Sequence, residues 1–222
     1  MSKVERIGIF GGSFNPIHNG HLAAVKCFLE QLKLDRVILV PTGKSFYKDE
    51  STASFEDRFR MCELAVAGLS DVEVSDIERS HPEGIYTCDM LEAMHAKFPA
   101  AHLVFLVGSD VFESVCRWKN SRKIAQTVDF GVIGRFEEDR QDERRRMLMM
   151  TAGFLRLYGT KTEFVEGVKP LSSTHVRRAI ETGRSVDNLL SDTVNDYIKR
   201  KGLYVVGRTD MPPFRLVLRF HI

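Results

Sequence analysis

Four cysteines, Cys27, Cys62, Cys88 and Cys116, are scattered through 222 residues without a C-x-x-C pair. That spacing argues against a thiol redox motif or a cysteine zinc site. Three of the four fall in apolar helical patterns, so they read as small buried hydrophobes in a reduced, cytoplasmic setting. No apolar run approaches the roughly 20 residues a membrane-crossing helix needs, and the opening MSKVERIGIF has no long apolar signal region. A soluble protein without a membrane partner is expected. An excess of one charge is also missing. The 32 Lys and Arg stand against 30 Asp and Glu, a net +2, so no general nucleic-acid surface is expected and any basic site must be local. Internal repeats and low-complexity linkers are absent too. What is present, 43% hydrophobic and 28% charged residues, suits one globular α/β domain with at most a small appendage.

The most informative stretch is Gly8 to His21, GIFGGSFNPIHNGH. An apolar run (Ile7, Ile9, Phe10) leads through Gly11 and Gly12 to two histidines, and the amphipathic segment HLAAVKCFLEQL follows. The pattern predicts strand, tight loop and helix. Glycines let a backbone take unusual dihedrals and approach a bulky anion, and a helix start presents N–H groups and positive potential to the same point. His18 and His21, three apart, would share one helix face and converge on one phosphate. The glycine spacing fits neither G-x-G-x-x-G nor the P-loop. The competing reading is that the histidines only cap the helix or bind zinc, although no cysteine, carboxylate or third histidine lies close by in sequence.

Residues 6 to 10 and 36 to 40 are short β-branched runs one helix apart, which predicts a βαβ unit with a parallel sheet and a right-handed crossover. The polar segment PTGKSFYKDESTAS would then leave the carboxyl edge of the second strand, beside the glycine loop. Ser54 to Gly68 reads as a helix with Ser54 as N-cap, assigned to packing. VEVSDIE (72–78) alternates as a strand. Tyr86 and Thr87 open the helix TCDMLEAMHAKF, where Thr87 could be a plain N-cap, and His95 and His102 read as surface or strand-edge residues. HLVFLVGSD ends a buried strand in Asp110, placed either to accept from ribose hydroxyls or to cap a helix beginning near Val111. DFGVIGR (129–135) is a fifth strand, EEDRQDERRRMLMM a solvated helix and TEFVEG a last strand. In LSSTHVRRAIETG, Ser172, Ser173 and Thr174 supply hydroxyls and N–H groups at a helix start, and Arg177 projects from the first turn, so a phosphate could be held from both sides.

GGSFNPIHNGH resembles the signature of the H-x-G-H nucleotidyltransferase superfamily, and the other motifs resemble its bacterial nicotinate mononucleotide adenylyltransferases. Pro41, Thr42, Gly43 and Lys48 match their P-T-G-x-P-P-H-K, with Ser45, Phe46 and Tyr47 replacing P-P-H. Tyr86-Thr87 is similar to their S-Y-T stretch, Gly108-Ser109-Asp110 to G-[SAT]-D, and Ser172 to Arg177 to I-S-S-T-x-x-R. Asn15 stands where many members have Asp, and Phe136 where they usually have proline. The resemblance implies a doubly wound, Rossmann-like parallel sheet in a single domain over residues 1–204, with a small C-terminal helical part and a tail, 205–222, of no assigned role. It implies AMP transfer from ATP to nicotinate mononucleotide, giving nicotinate adenine dinucleotide and pyrophosphate, with Mg²⁺ carried by the ATP phosphates. His18, His21 and Arg177 would be catalytic. Gly11, Gly12, Ser13, Phe14, Gly108, Asp110, Arg135 and Ser172 to Thr174 would hold ATP, and Lys48, Tyr86, Thr87 and Trp118 the acceptor, with Trp118 stacking its ring. Another transferase of the superfamily, using phosphopantetheine or a cytidine nucleotide, is the nearest rival; a nucleotide-binding regulator without turnover is the other. Homo-oligomer formation stays open.

Overall fold

The computed structural model describes residues 3–43, 53–134, 141–167 and 171–205. Lys48, Arg135, the Ser45-Phe46-Tyr47 departure and nearly all of the tail lie outside the described residues. In chain order the elements are β1 (Arg6–Gly12), α1 (Asn19–Gln31), β2 (Arg36–Pro41), α2 (Phe55–Val66), β3 (Val72–Val74), α3 (Thr87–Lys97), β4 (His102–Gly108), α4 (Ser109–Phe112), a 3-10 turn at Val115–Arg117, α5 (Ser121–Thr127), β5 (Asp129–Ile133), α6 (Gln141–Arg156), β6 (Thr162–Val165), α7 (Ser173–Glu181) and α8 (Asp192–Lys201).

All strand pairs are parallel, in the order β3-β2-β1-β4-β5-β6. The chain begins mid-sheet, winds outward to β3, then restarts at β4 on the other side of β1. The strand order therefore reverses between β1 and β4, and ligands of doubly wound sheets bind outside the carboxyl ends of the strands at that point. Both faces are covered, which is why β4 reads as an unbroken apolar run rather than an alternation. Val104 and Leu106 enter the core that also holds Phe10, Phe28, Met61 and Ile198, while Leu103, Phe105 and Val107 enter the one with Ile7, Leu91, Met94 and Phe130. Each such side chain contributes ~1.5–3 kcal/mol by leaving water. The sheet and α1 pack closely: a Cβ on Gly131 would meet Leu32 Cδ1 at 2.6 Å.

One sequence expectation needs correction here. β3 stops at Val74 rather than reaching residue 78. The segment 137–150 was expected to be a solvated helix; its described part lies in α6 (Gln141–Arg156) and is mostly exposed with Leu148 buried, while residues 137–140 lie outside the described residues. His102, read as a surface or strand-edge residue, is the half-exposed first residue of β4, and it also gains a partner, its Nε2 lying 2.9 Å from Asp129 Oδ2. That pair lines a cleft of about 380 Å³ with His95 and Tyr158. The cleft sits at the amino ends of β4 and β5, the opposite end of the sheet from the two motif histidines.

Candidate active site

The glycine pair works differently from the expectation. β1 runs through Gly11 and Gly12, which pair in register with Val40 and Pro41, so these residues are strand, not loop. Neither has a positive φ; the left-handed residue is Phe14, at φ 45°. A Cβ on Gly12 would meet the Phe14 ring at 3.1 Å, so the glycine is needed for close approach. Phe14 is thereby buried beneath the turn and meets the His21 ring edge-on, centroids 5.0 Å apart.

The histidines do cap the helix, and this does not compete with a ligand role. His18 is the N-cap of α1 and His21 its third residue. His21 N–H donates to His18 Nδ1 at 3.3 Å and His18 N–H to His21 Nδ1 at 3.2 Å, a capping box built from two imidazoles. The rings stack 3.7 Å apart. Because both Nδ1 atoms accept, each neutral ring carries its proton on Nε2. The cap thus fixes the tautomer that makes Nε2 a donor, at the positive end of α1. Asn15 takes no part in this cap. It is buried, and its Oδ1 accepts from Tyr204 Oη at 2.6 Å, a bond an aspartate in its place could also accept.

α7 closes the site from the C-terminal side. Ser172 is its N-cap, with Oγ accepting from His175 N–H at 3.2 Å. Ser173 Oγ donates to the Pro16 carbonyl at 3.0 Å. Arg177 stands in the second turn rather than the first. Its guanidinium donates to the Asn15 carbonyl at 2.8 Å and to Thr174 Oγ1 at 3.3 Å. The structure therefore brings the Ser172–Arg177 motif onto the turn between β1 and α1.

At the end of β4, α4 starts at Ser109, so Asp110 is inside the helix and Gly108, through its backbone, is the N-cap. A Cβ on Gly108 would lie 2.5 Å from Asp110 Oδ1, so only glycine lets this exposed carboxylate fold back over the strand end. Tyr86, not Thr87, is the N-cap of α3, and it makes no side-chain cap bond. Trp118 donates from Nε1 to Ser114 Oγ at 2.9 Å and meets Phe105 edge-on. Phe105 in turn lies under Gly11. Lys119, which sequence reasoning passed over, sets its ammonium 3.8 Å from the centre of the Tyr86 ring, tying the α3 start to the tryptophan turn.

Two further residues were missed. Arg58, on a helix assigned to packing alone, is 2% exposed and donates to the carbonyls of Ser13 (2.8 Å) and Gly43 (3.0 Å), joining the turns that follow β1 and β2. Burial lowers its pKa from the usual guanidinium value, and its Nε has no hydrogen-bond partner. Glu78 accepts from Gly43 N–H at 2.7 Å, and burial raises its carboxyl above the ordinary value against that bond. The signal was available. Arg58 lies on the apolar stripe with Met61, Cys62 and Val66, a place where a solvated arginine would not sit.

Among the described residues no group of three or more His, Cys, Asp or Glu side chains is gathered as a metal site, and no helix is long and apolar enough to cross a membrane. The family model described as "Cytidylyltransferase-like" matches residues 9–179. The chain is 33% identical over 201 residues to the "probable nicotinate-nucleotide adenylyltransferase" of Neisseria meningitidis serogroup B, covering 90% of this chain and 99% of that protein. It is 32% identical over 205 residues to the protein of the same name from Methylacidiphilum infernorum, covering 92% and 94%. The fold is also that of Plasmodium falciparum nicotinic acid mononucleotide adenylyltransferase complexed with NaAD, with TM-score 0.72, 20% identity, and 90% of this chain and 97% of that one covered. A match of this extent means that this protein belongs to the cytidylyltransferase-like family and, within it, to the nicotinate-nucleotide adenylyltransferases.

Proposed function

We infer that this protein transfers AMP from ATP to nicotinate mononucleotide, giving nicotinate adenine dinucleotide and pyrophosphate. The observation that carries the reading is the imidazole capping box. It holds two Nε2–H donors side by side at a helix N-terminus, with Ser173 and Arg177 brought against the same turn. Such an array suits a triphosphate. A phosphate oxygen of the acceptor attacks the α-phosphorus of ATP, and the bond to the bridging oxygen breaks as pyrophosphate leaves. The acceptor phosphate is already anionic, so no side chain need act as nucleophile or base. The protein's part is alignment and stabilisation of charge on the phosphate oxygens. Magnesium enters as part of the substrate, chelated by the phosphates.

In this reading His18, His21 and Arg177 hold the triphosphate, and Gly108 and Asp110 receive the ribose. The start of α3 faces the carboxylate of the pyridine ring, and Trp118 packs against the ring. Pyrophosphate release, measured from Mg-ATP with nicotinate mononucleotide or phosphopantetheine and from Mg-CTP with a cytidylyl acceptor, tests the assignment. Release that requires the pyridine mononucleotide is expected. Release with either alternative alone would move the protein to another branch of the family, and none with any would make it a nucleotide binder.

A further inference from the structure

We propose that Tyr204 is a positioning residue for the triphosphate site: from beyond the end of α8 its hydroxyl fixes Asn15, and Asn15 fixes Arg177. This role presupposes that Arg177 holds the phosphates of ATP.

Asn15 stands between two donors. Its side-chain Oδ1 accepts from Tyr204 Oη at 2.6 Å and its backbone carbonyl from Arg177 Nη1 at 2.8 Å, and both Asn15 and Tyr204 are buried. The carbonyl of the next residue, Pro16, accepts from Ser173 Oγ. The turn between β1 and α1 is thus gripped by α7 through its backbone and by Tyr204 through a side chain. The chain bends twice to deliver that tyrosine. Gly202 ends α8 at φ 57°, and Tyr204 itself takes φ 62°, a left-handed conformation that a bulky side chain rarely adopts. Strain of this kind persists only where surrounding contacts enforce it, and it clusters at functional sites. The base from which Tyr204 reaches in is itself braced on α2, because Tyr197 Oη donates to Asp57 Oδ1 at 2.8 Å and Thr193 Oγ1 to the Leu64 carbonyl at 3.2 Å.

Packing alone would be served by phenylalanine. The ring belongs to the core that holds Phe14, Val176 and Ile198, and what the hydroxyl adds is a donor for a buried carboxamide oxygen. Burial raises the phenol above its ordinary pKa, against the pull of the Arg177 and Arg58 guanidinium groups and with that of Asp57 and Cys62, so the group stays protonated and donating. Without it Asn15 Oδ1 is left buried and unsatisfied, which drives it to seek another donor. Arg58 is committed to the Ser13 and Gly43 carbonyls. Arg177, already bonded to the Asn15 backbone, is therefore the group drawn inward, away from a phosphate.

Calorimetric titration of the full chain with Mg²⁺ and α,β-methylene ATP, which cannot release pyrophosphate, is the test. Tyr204→Phe should bind this analogue about tenfold more weakly than wild type, while the KM for nicotinate mononucleotide at saturating ATP stays within about twofold. Added to Arg177→Ala, it should cost nothing beyond Arg177→Ala alone, because the hydroxyl acts through that guanidinium. Asn15→Ala removes the acceptor instead of the donor, should give the same split, and decides the matter if Tyr204→Phe does not fold. Unchanged affinity in a folded, merely less thermostable Tyr204→Phe overturns the proposal, as do equal losses for both substrates or a loss that adds to that of Arg177→Ala. Those failures leave the triphosphate reading standing; Arg177→Ala with wild-type affinity for the analogue overturns that reading and the proposal together.

Discussion

Arg58→Met separates positioning from packing. The guanidinium makes two charge-assisted bonds, to the Ser13 and Gly43 carbonyls, and leaves Nε without a partner in a 2% exposed site. Each such bond contributes about 1.5–3 kcal/mol, while a buried unsatisfied donor costs about 1–3 kcal/mol and a desolvated cation adds to that cost. Methionine fills similar space, removes the buried charge and loses both bonds. The opposing effects leave a net destabilisation of about 1–3 kcal/mol, well within the stability of a domain this size. The two turns, however, lose the tie between them, and one carries the residues proposed for the triphosphate. A shift of ~1 Å between reacting groups costs about a hundredfold in rate. Arg58→Met should therefore unfold at a modestly lower temperature but lose roughly two orders of magnitude in kcat/KM for pyrophosphate release. Thermal unfolding and steady-state kinetics on one preparation decide it. A folded variant with near-normal turnover would refute the reasoning, and so would activity lost only because the protein no longer folds.

His21→Ala should lower kcat at least a hundredfold through loss of one phosphate donor, and lower stability by ~1 kcal/mol through loss of the cap. His21→Asn, which keeps a short acceptor at that position, should recover part of the stability and none of the rate. Gly108→Ala should act as an Asp110 variant does, because its Cβ lands on the carboxylate. A raised KM for ATP with a largely unchanged KM for the acceptor is the expected reading, and equal changes would contradict it. Glu78 has a folded pKa above its unfolded value, so the native state binds more protons and this group's contribution to stability falls as pH rises through the window that opens near 4.5. Glu78→Gln should remove that slope. Its unfolding temperature relative to wild type should be higher at pH 8 than at pH 5, and a gap of the opposite sign would show that the charged form is the favoured one.

The parallel sheet was legible because strands buried on both faces, such as LVFLV in β4, leave unbroken apolar runs. Ser54 was readable as an N-cap, and Ser172 to Thr174 as a helix start, because capping depends on residues three apart in sequence. What escaped depends on tertiary contact. VEVSDIE keeps its alternation past Val74, yet the chain turns there and delivers Glu78 to the Gly43 N–H. The glycine pair suggested a loop, although the close neighbour it accommodates, the Phe14 ring, comes from the next turn. Capping by the histidines was one reading of the sequence, but its reciprocity was not, because propensity favours Ser, Thr, Asp and Asn at that position. His102 and Asp129, 27 residues apart, meet only because β4 and β5 are neighbours.

The central claim is an acceptor bearing a carboxylate, recognised at a helix start with N–H donors and positive potential. An amide would direct its own NH₂ at those donors, and leaving them without an acceptor costs ~1–3 kcal/mol, roughly ten- to a hundredfold in selectivity. The most direct measurement is kcat/KM for nicotinate and nicotinamide mononucleotides with Mg-ATP, the dinucleotide product being identified by mass. A ten- to hundredfold preference for the acid, with nicotinate adenine dinucleotide as product, is the predicted result; equal values, or a preference for the amide, would contradict the account.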